Sequence, residues 1–187
     1  MDTKQVLEAI ENNSIPKVED NPHYAIYDCV VKEYPAATFL VRTSGEPINL
    51  GKEMFPLMNT EKLWEFAEDE NIPRKDNSPQ EVYLYNWVER AQGPMIFDVG
   101  TVVEDDFEGV ENEHGFIIKR YPPMKLASII YHGPFPYQEN SGWGNIDWER
   151  RAKEKGLVYT ERLYRELYHL FDFEDHWHVT EIQMEIE

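Results

Sequence analysis

The sequence predicts an α+β fold with antiparallel sheets and an internal pseudo-twofold axis, on three observations. "VKEYPAATFLVRTSGEP" (31–47) and "IKRYPPMKLASIIYHGPF" (118–135) each place a Lys and a Tyr-Pro pair before an apolar stretch and a Gly. A constant shift of 85 residues then carries Ala67 onto Ala152, Ile72 onto Leu157, Glu81 onto Glu166 and Tyr83 onto Tyr168. Finally, "HVTEIQMEI" (178–186) alternates Thr180, Ile182, Met184 and Ile186 with Val179, Glu181, Gln183 and Glu185, as a half-buried strand does.

Taken in order, the chain starts with a short helix: Asp2 can cap it, and Val6, Leu7 and Ile10 form its apolar stripe. Pro16 and "EDNP" end it, so residues 1–22 form a helical extension on a main domain of 23–187. That domain divides into repeat one (about 23–103), an acidic, glycine-bearing linker "EDDFEGVENEHG" (104–115) and repeat two (116–187). In each repeat a proline (Pro35, Pro122) separates two strands, since proline cannot donate to a central ladder, and a glycine (Gly45, Gly133) closes the second. A helix follows in each. Thr60 is the cap candidate for the first, with Leu63, Trp64 and Ala67 inward. Asn145 is the cap candidate for the second, with Trp148 and Ala152 inward and Gly156 as its stop. "EVYLYNW" and "ELYHLFD" are counterpart strands, and "MIFDVGTVV" (95–103) and 178–186 close the two halves. The order is strand–strand–helix–strand–strand, twice.

Acidic residues number 36 against 18 basic ones, a net charge of −18, which argues against binding to nucleic acid or to an anionic membrane. The bland reading of that charge is solubility; the sharper one is attraction of cationic ligands. Cys29 is the only cysteine, so no internal disulfide and no cysteine zinc motif exist. The N-terminus has no signal-peptide pattern and no stretch approaches a membrane span, which makes a cytoplasmic protein the expectation. No nucleophile elbow and no dinucleotide fingerprint occur, which disfavours serine or cysteine catalysis and nucleotide-dependent chemistry, and no cofactor is expected. His176 and His178 lack a convincingly spaced third ligand, so no metal is expected either.

The strand "YRELYHLF" (164–171) sets an acid between two tyrosines. Period-two geometry points Tyr164, Glu166, Tyr168 and Leu170 to one face and Arg165, Leu167, His169 and Phe171 to the other. Its counterpart puts Glu81, Tyr83, Tyr85 and Trp87 on one face. If the two faces meet across the axis, they enclose a cavity with aromatic walls and a few carboxylates, suited to flat aromatic ligands, cationic ones included. The competing reading is a solvated or polar-core role for these acids. Trp143, between two glycines, can flank such a cleft or pack in the core; Tyr131 and His132 stand at a strand end near it.

The Tyr-Pro strand leading to "YHGPF", the helix ending in "EKGL", the Glu-x-Tyr strand "RELY" and the closing "VTEIQMEI" resemble the GyrI-like small-molecule-binding family, also called the effector-binding domain. The resemblance runs from about Tyr24 to the C-terminus and is better in the second half. It implies two β-α-β-β units around a pseudo-twofold axis, a ligand cleft at their junction, and Glu166 as the strand acid of the site. Family members include effector domains of transcription activators, stand-alone proteins that bind toxic compounds or gyrase, and hydrolases that open the cyclopropane of DNA-alkylating natural products. About 20 N-terminal residues leave no room for a DNA-binding domain, so a stand-alone protein is expected, with protein partners open. Two functions stand close together: capture of an aromatic toxic ligand, or hydrolysis of a cyclopropane-bearing one. In the latter Glu166 activates water and Tyr168 or Tyr131 stabilises the oxyanion. An effector-sensing or protein-interaction module is the alternative.

Overall fold

Each Tyr-Pro pair does separate two strands. In the computed structural model, which describes residues 2–87 and 93–187, β3 (Val30–Tyr34) stops before Pro35 and β4 (Ala37–Thr43) follows; β7 (Phe116–Tyr121) stops before Pro122 and β8 (Met124–Gly133) follows. The first half continues through α2 (Phe55–Met58), α3 (Glu61–Asp69), β5 (Glu81–Trp87) and β6 (Met95–Val103). The second continues through a 3-10 turn (Trp143–Asn145), α4 (Trp148–Lys155), β9 (Tyr159–Leu170) and β10 (His178–Ile186). No strand or helix interrupts 104–115. Ahead of the halves lie α1 (Thr3–Glu11), capped by the Asp2 side chain, and a hairpin of β1 (Lys17–Asp20) and β2 (Ala25–Tyr27). Among the described residues no helix is long and apolar enough to cross a membrane.

The strands join in one antiparallel sheet of order β1-β2-β8-β10-β9-β5-β6-β4-β7, with β3 on β8. The halves are symmetric within it, β4-β6-β5 against β9-β10-β8, and the axis passes between β5 and β9. Their first strands are exchanged: β3 of half one pairs with β8 of half two, and β7 of half two with β4 of half one. Tyr121 on β7 reaches over β4 and β6 to bond Asn86 on β5 at 2.9 Å, so the sheet curls with this face inward.

The repeated Lys-x-Tyr of β3 and β7 clamps the exchange. Lys32 pairs with Glu181 at 3.3 Å and Lys119 with Asp98 at 2.5 Å, each crossing to a carboxylate on the last strand of the other half. Tyr34 donates to Glu181, as does Ser128 at 2.5 Å. His169 links Glu181 (3.2 Å) to the Thr3 hydroxyl (2.8 Å), which docks α1 on the same buried network. Burial alone would raise the Glu181 carboxyl; the His169 bond, the Lys32 charge and the Ser128 hydroxyl outweigh it and hold the group well below the usual carboxylate range. Helices α3 and α4 cover the other face, α3 through Leu63, Phe66 and Ala67, and α4 beside Ile129, Tyr131 and Ile146.

Three local expectations are corrected. The cap of α4 is Asp147, which accepts from the Arg150 N–H, while Asn145 sits in the preceding turn and donates to the Tyr24 hydroxyl. Thr60 precedes α3 but makes no capping bond, because its hydroxyl is directed elsewhere. The third is in β9, whose register with β10 slips between Tyr168 and Leu170. The irregularity turns Leu170 toward solvent and brings Phe171 to stack on Tyr168 at 5.6 Å, the reverse of strict alternation.

Candidate functional site

At the axis β5 and β9 run antiparallel with Glu81 opposite Tyr168, Tyr83 opposite Glu166 and Tyr85 opposite Tyr164. Directly opposed residues share a face, so the two Glu-x-Tyr pairs meet on the helix-covered side and are exchanged by the axis. The two glutamates are diagonal neighbours, with Cα atoms about 7–8 Å apart by sheet geometry. The Tyr83 and Tyr168 rings lie 5.0 Å apart between them.

These equivalent acids are held differently. Glu81 accepts from the Thr60 hydroxyl (2.7 Å) and the Trp64 indole N–H (2.9 Å), both presented by the start of α3, and from the Tyr83 hydroxyl at 3.5 Å. Glu166 accepts from the Tyr168 hydroxyl at 2.7 Å. Burial pushes the Glu166 carboxyl up, although the nearby hydroxyls of Tyr168, Tyr164 and Tyr85 favour its charge. Burial and the neighbouring acids raise the hydroxyls of Tyr83 and Tyr168, which keeps them protonated as donors. Tyr85, Trp87 and Tyr164 pack on one another at ring separations of 5.0–6.3 Å on Glu166's side of the axis.

A cavity of about 780 Å³ opens on the Glu81 side. Half one supplies a wall that includes Thr60, Glu61, Trp64, Arg74, Glu81 and Tyr83; half two supplies Phe135, Tyr137, Phe171 and Phe173. An aromatic column runs from buried Tyr168 through Phe171 to Phe173, which is 69% exposed, with interplanar angles of 16° and 12°. Tyr137, 78% exposed, stacks on Phe135 at the mouth. The Arg74 guanidinium lies 4.4 Å from the centre of the Trp64 ring. A second depression, about 790 Å³, lies over the start of α4 and is lined by Asn145, Asp147, Glu149 and Arg150, without comparable aromatic walls.

Of the residues singled out by sequence, the structure groups Glu81, Tyr83, Tyr85, Trp87, Tyr164, Glu166 and Tyr168 at the axis. Only Glu81 and Tyr83 of these line the cavity; Glu166 is 6% exposed beneath its tyrosines. Tyr131, His132 and Trp143 lie elsewhere. Strand β10 separates β8 from β9, and the Tyr131 hydroxyl accepts from the Gly142 N–H in the core beside Trp143. His132 packs edge-on against Trp177. Sequence reasoning missed Thr60, Trp64 and Arg74 as wall residues, and the loop aromatics Phe135, Tyr137, Phe171 and Phe173. One signal was present: Thr60 and Trp64, four apart, share a helix side, and a buried indole N–H needs an acceptor.

No protein-family model matches the chain, and no curated protein sequence does. Solved structures do. The C-terminal domain of EcmrR superposes with a TM-score of 0.61 at 19% identity, over 86% of this chain and 97% of that domain. EcmrR in complex with DNA gives 0.63 at 16% identity; 98% of this chain is covered, but it spans only 63% of that protein. SAV2435 bound to tetraphenylphosphonium gives 0.59 at 10% identity, over 86% of this chain and 94% of the other. A hydrolase encoded by lin2189 from Listeria innocua gives 0.54 at 13% identity, over 86% and 92%. The chain has the GyrI-like fold.

Proposed function

We propose that the protein captures a small aromatic ligand in the cavity beside Glu81 and pairs a positive group of the ligand with that carboxylate. The observation that carries this reading is a carboxylate only 8% exposed, hydrogen-bonded by neutral donors, at the wall of an aromatic cavity. Neutral donors orient the oxygens, and Arg74 acts on them only from a distance without a direct ion pair, so a ligand cation can pair with the carboxylate. Stacking on the second-half wall adds about 0.5–1.5 kcal/mol per ring pair beyond area burial. The tetraphenylphosphonium held by the structurally similar SAV2435 is of this chemistry. Sequestration of such a compound would protect the cell from it.

The test is a calorimetric titration of the protein with tetraphenylphosphonium. Saturable binding is expected, at least about ten-fold weaker in Glu81→Gln, the effect of one lost charge pairing of about 1.4 kcal/mol. Equal affinity in Glu81→Gln and Trp64→Leu would remove the cavity as the site.

A second reading, hydrolysis of a cyclopropane-bearing alkylator, is favoured by the raised carboxyl of Glu166 diagonal to Glu81. There, water adds to a ring carbon as the strained C–C bond breaks and the electron pair moves into the conjugated carbonyl; the proton of water passes to Glu166 and from it to the resulting oxyanion, which regenerates the carboxylate and leaves the product one water heavier. Tyr83, whose hydroxyl makes only a long bond to Glu81 and lines the cavity, is the donor available to the developing oxyanion, while Tyr168 holds Glu166. Mass spectrometry separates the readings. A product 18 Da heavier that vanishes in Glu166→Gln supports hydrolysis, and intact ligand recovered stoichiometrically supports capture alone.

A further inference from the structure

The cavity wall of half one carries three charged side chains, Glu61, Arg74 and Glu81, and a single indole touches the last two, which are opposite in sign. Trp64 donates its N–H edge to Glu81 at 2.9 Å and offers its ring face to Arg74, 4.4 Å away. Arg74 is anchored beside the strand that bears Glu81: its Nε donates to Thr101 Oγ1 at 3.2 Å and an Nη to the carbonyl of Gln80 at 3.4 Å. The guanidinium is therefore not bonded into the Glu81 carboxylate, and Arg74 is an exposed residue of the cavity wall. The facing wall, from half two, is aromatic and carries no charge: Phe135, Tyr137, Phe171 and Phe173. A simple aromatic cation approaching Glu81 meets the repulsion of Arg74 in the same space, and a simple aromatic anion approaching Arg74 meets that of Glu81. A molecule bearing both charges on an aromatic scaffold satisfies both and lays its ring against the facing wall.

We infer that Arg74 makes this cavity selective for aromatic zwitterions, with the ligand's cationic group on Glu81 and its anionic group on Arg74. The inference rests on the capture reading above and names its ligand class. Arg74 is thus the specificity-determining residue. It acts as an internal cation that already occupies the Trp64 face, and as a fixed partner for a carboxylate, whose planar geometry a guanidinium matches.

The experiment compares three forms of one scaffold by calorimetry: 2-naphthylalanine (zwitterion), its methyl ester (cation) and its N-acetyl derivative (anion), with tetraphenylphosphonium alongside. In the unaltered protein the zwitterion is expected to bind at least ten-fold more tightly than either single-charge form. Arg74→Gln, whose lost side-chain hydrogen bonds are those to Thr101 and the Gln80 carbonyl, should abolish the preference over the ester and strengthen tetraphenylphosphonium binding at least ten-fold. Glu81→Gln should abolish the preference over the N-acetyl form. If the ester binds as well as the zwitterion and Arg74→Gln changes neither, the selectivity is overturned while capture stands. If none of the four probes binds, both are overturned.

Discussion

The clamps that hold the exchanged first strands give a paired prediction. Tyr34 and Tyr121 occupy equivalent positions in the Lys-x-Tyr-Pro repeat, but the hydroxyl of Tyr34 donates to the Glu181 carboxylate and that of Tyr121 to the neutral amide oxygen of Asn86. Tyr34 is 6% exposed and Glu181 1%, so no solvent replaces the lost donor in Tyr34→Phe. A hydrogen bond to a charged partner contributes about 1.5–3 kcal/mol and a neutral one about 0.5–1.5 kcal/mol. Glu181 keeps Ser128, Lys32 and His169, which places Tyr34→Phe near the lower end, about 1.5–2 kcal/mol, with Tyr121→Phe near 1 kcal/mol. The pH dependence is specific. Glu181 in the fold is held below its unfolded value of about 4.3, so its contribution is complete above that pH and is lost as pH falls through the folded value. Removing a donor raises the folded value, so the Tyr34→Phe deficit should shrink as the solution is acidified below about pH 4. Urea unfolding of both variants across pH measures this. A Tyr121→Phe cost equal to or above that of Tyr34→Phe, or a Tyr34→Phe deficit that does not narrow in acid, would refute the assignment.

Glu166 is the opposite case: its carboxyl is raised in the fold, so stability should be fullest below about pH 4 and decline as pH rises through the folded value. Urea titrations of Glu166→Gln should lose that decline, and an unchanged slope would show that another group causes it. Thr60→Val should cost about 1–3 kcal/mol through Glu81 while far-UV dichroism of the helices stays the same, and Thr60→Ser should restore the loss. A fall in helical signal without loss of ligand affinity would return Thr60 to a capping role. In Gly142→Ala the new Cβ would lie 2.3–2.4 Å from the Tyr24 ring, so thermal unfolding should fall by the equivalent of about 1–3 kcal/mol. Unaltered melting would mean that the turn moves aside freely.

The repeat was legible because its parts are local: a proline between strands, a period-two strand, and a glycine stop in left-handed conformation at Gly156 (φ 65°). The axis was legible too, since the 85-residue shift pairs Glu81 with Glu166 before any coordinates are known. What sequence could not show depends on partners far apart in the chain. The exchange of β3 and β7 follows from sheet pairing, and so does the role of their lysines, which local pattern marks only as repeated. The β9 slip reverses Leu170 and Phe171 because the break in register with β10 falls between Tyr168 and Leu170, out of sight of strand periodicity. Phe135, Tyr137 and Phe173 come from irregular segments, whose directions carry no period at all.

The functional contrast between the halves arises from the helices rather than from the repeated strands. Both halves place a glutamate two residues before a tyrosine on adjacent central strands, and the axis makes the positions equivalent. In half one the chain entering α3 turns Thr60 and Trp64 onto Glu81, and the space beyond them stays open. In half two the chain entering α4 binds elsewhere: Asn145 bonds Tyr24, and Trp148 packs edge-on against Tyr159 at 5.6 Å. No α4 donor reaches Glu166 among the described residues, and tyrosines from β5 and β9 enclose it instead. The same strand residue thus borders an open cavity in one copy and is an enclosed acid of raised pKa in the other. Removing charge at the two should separate cleanly: Glu81→Gln acts on ligand affinity, whereas Glu166→Gln acts on the pH dependence of stability, and on turnover if water is activated there.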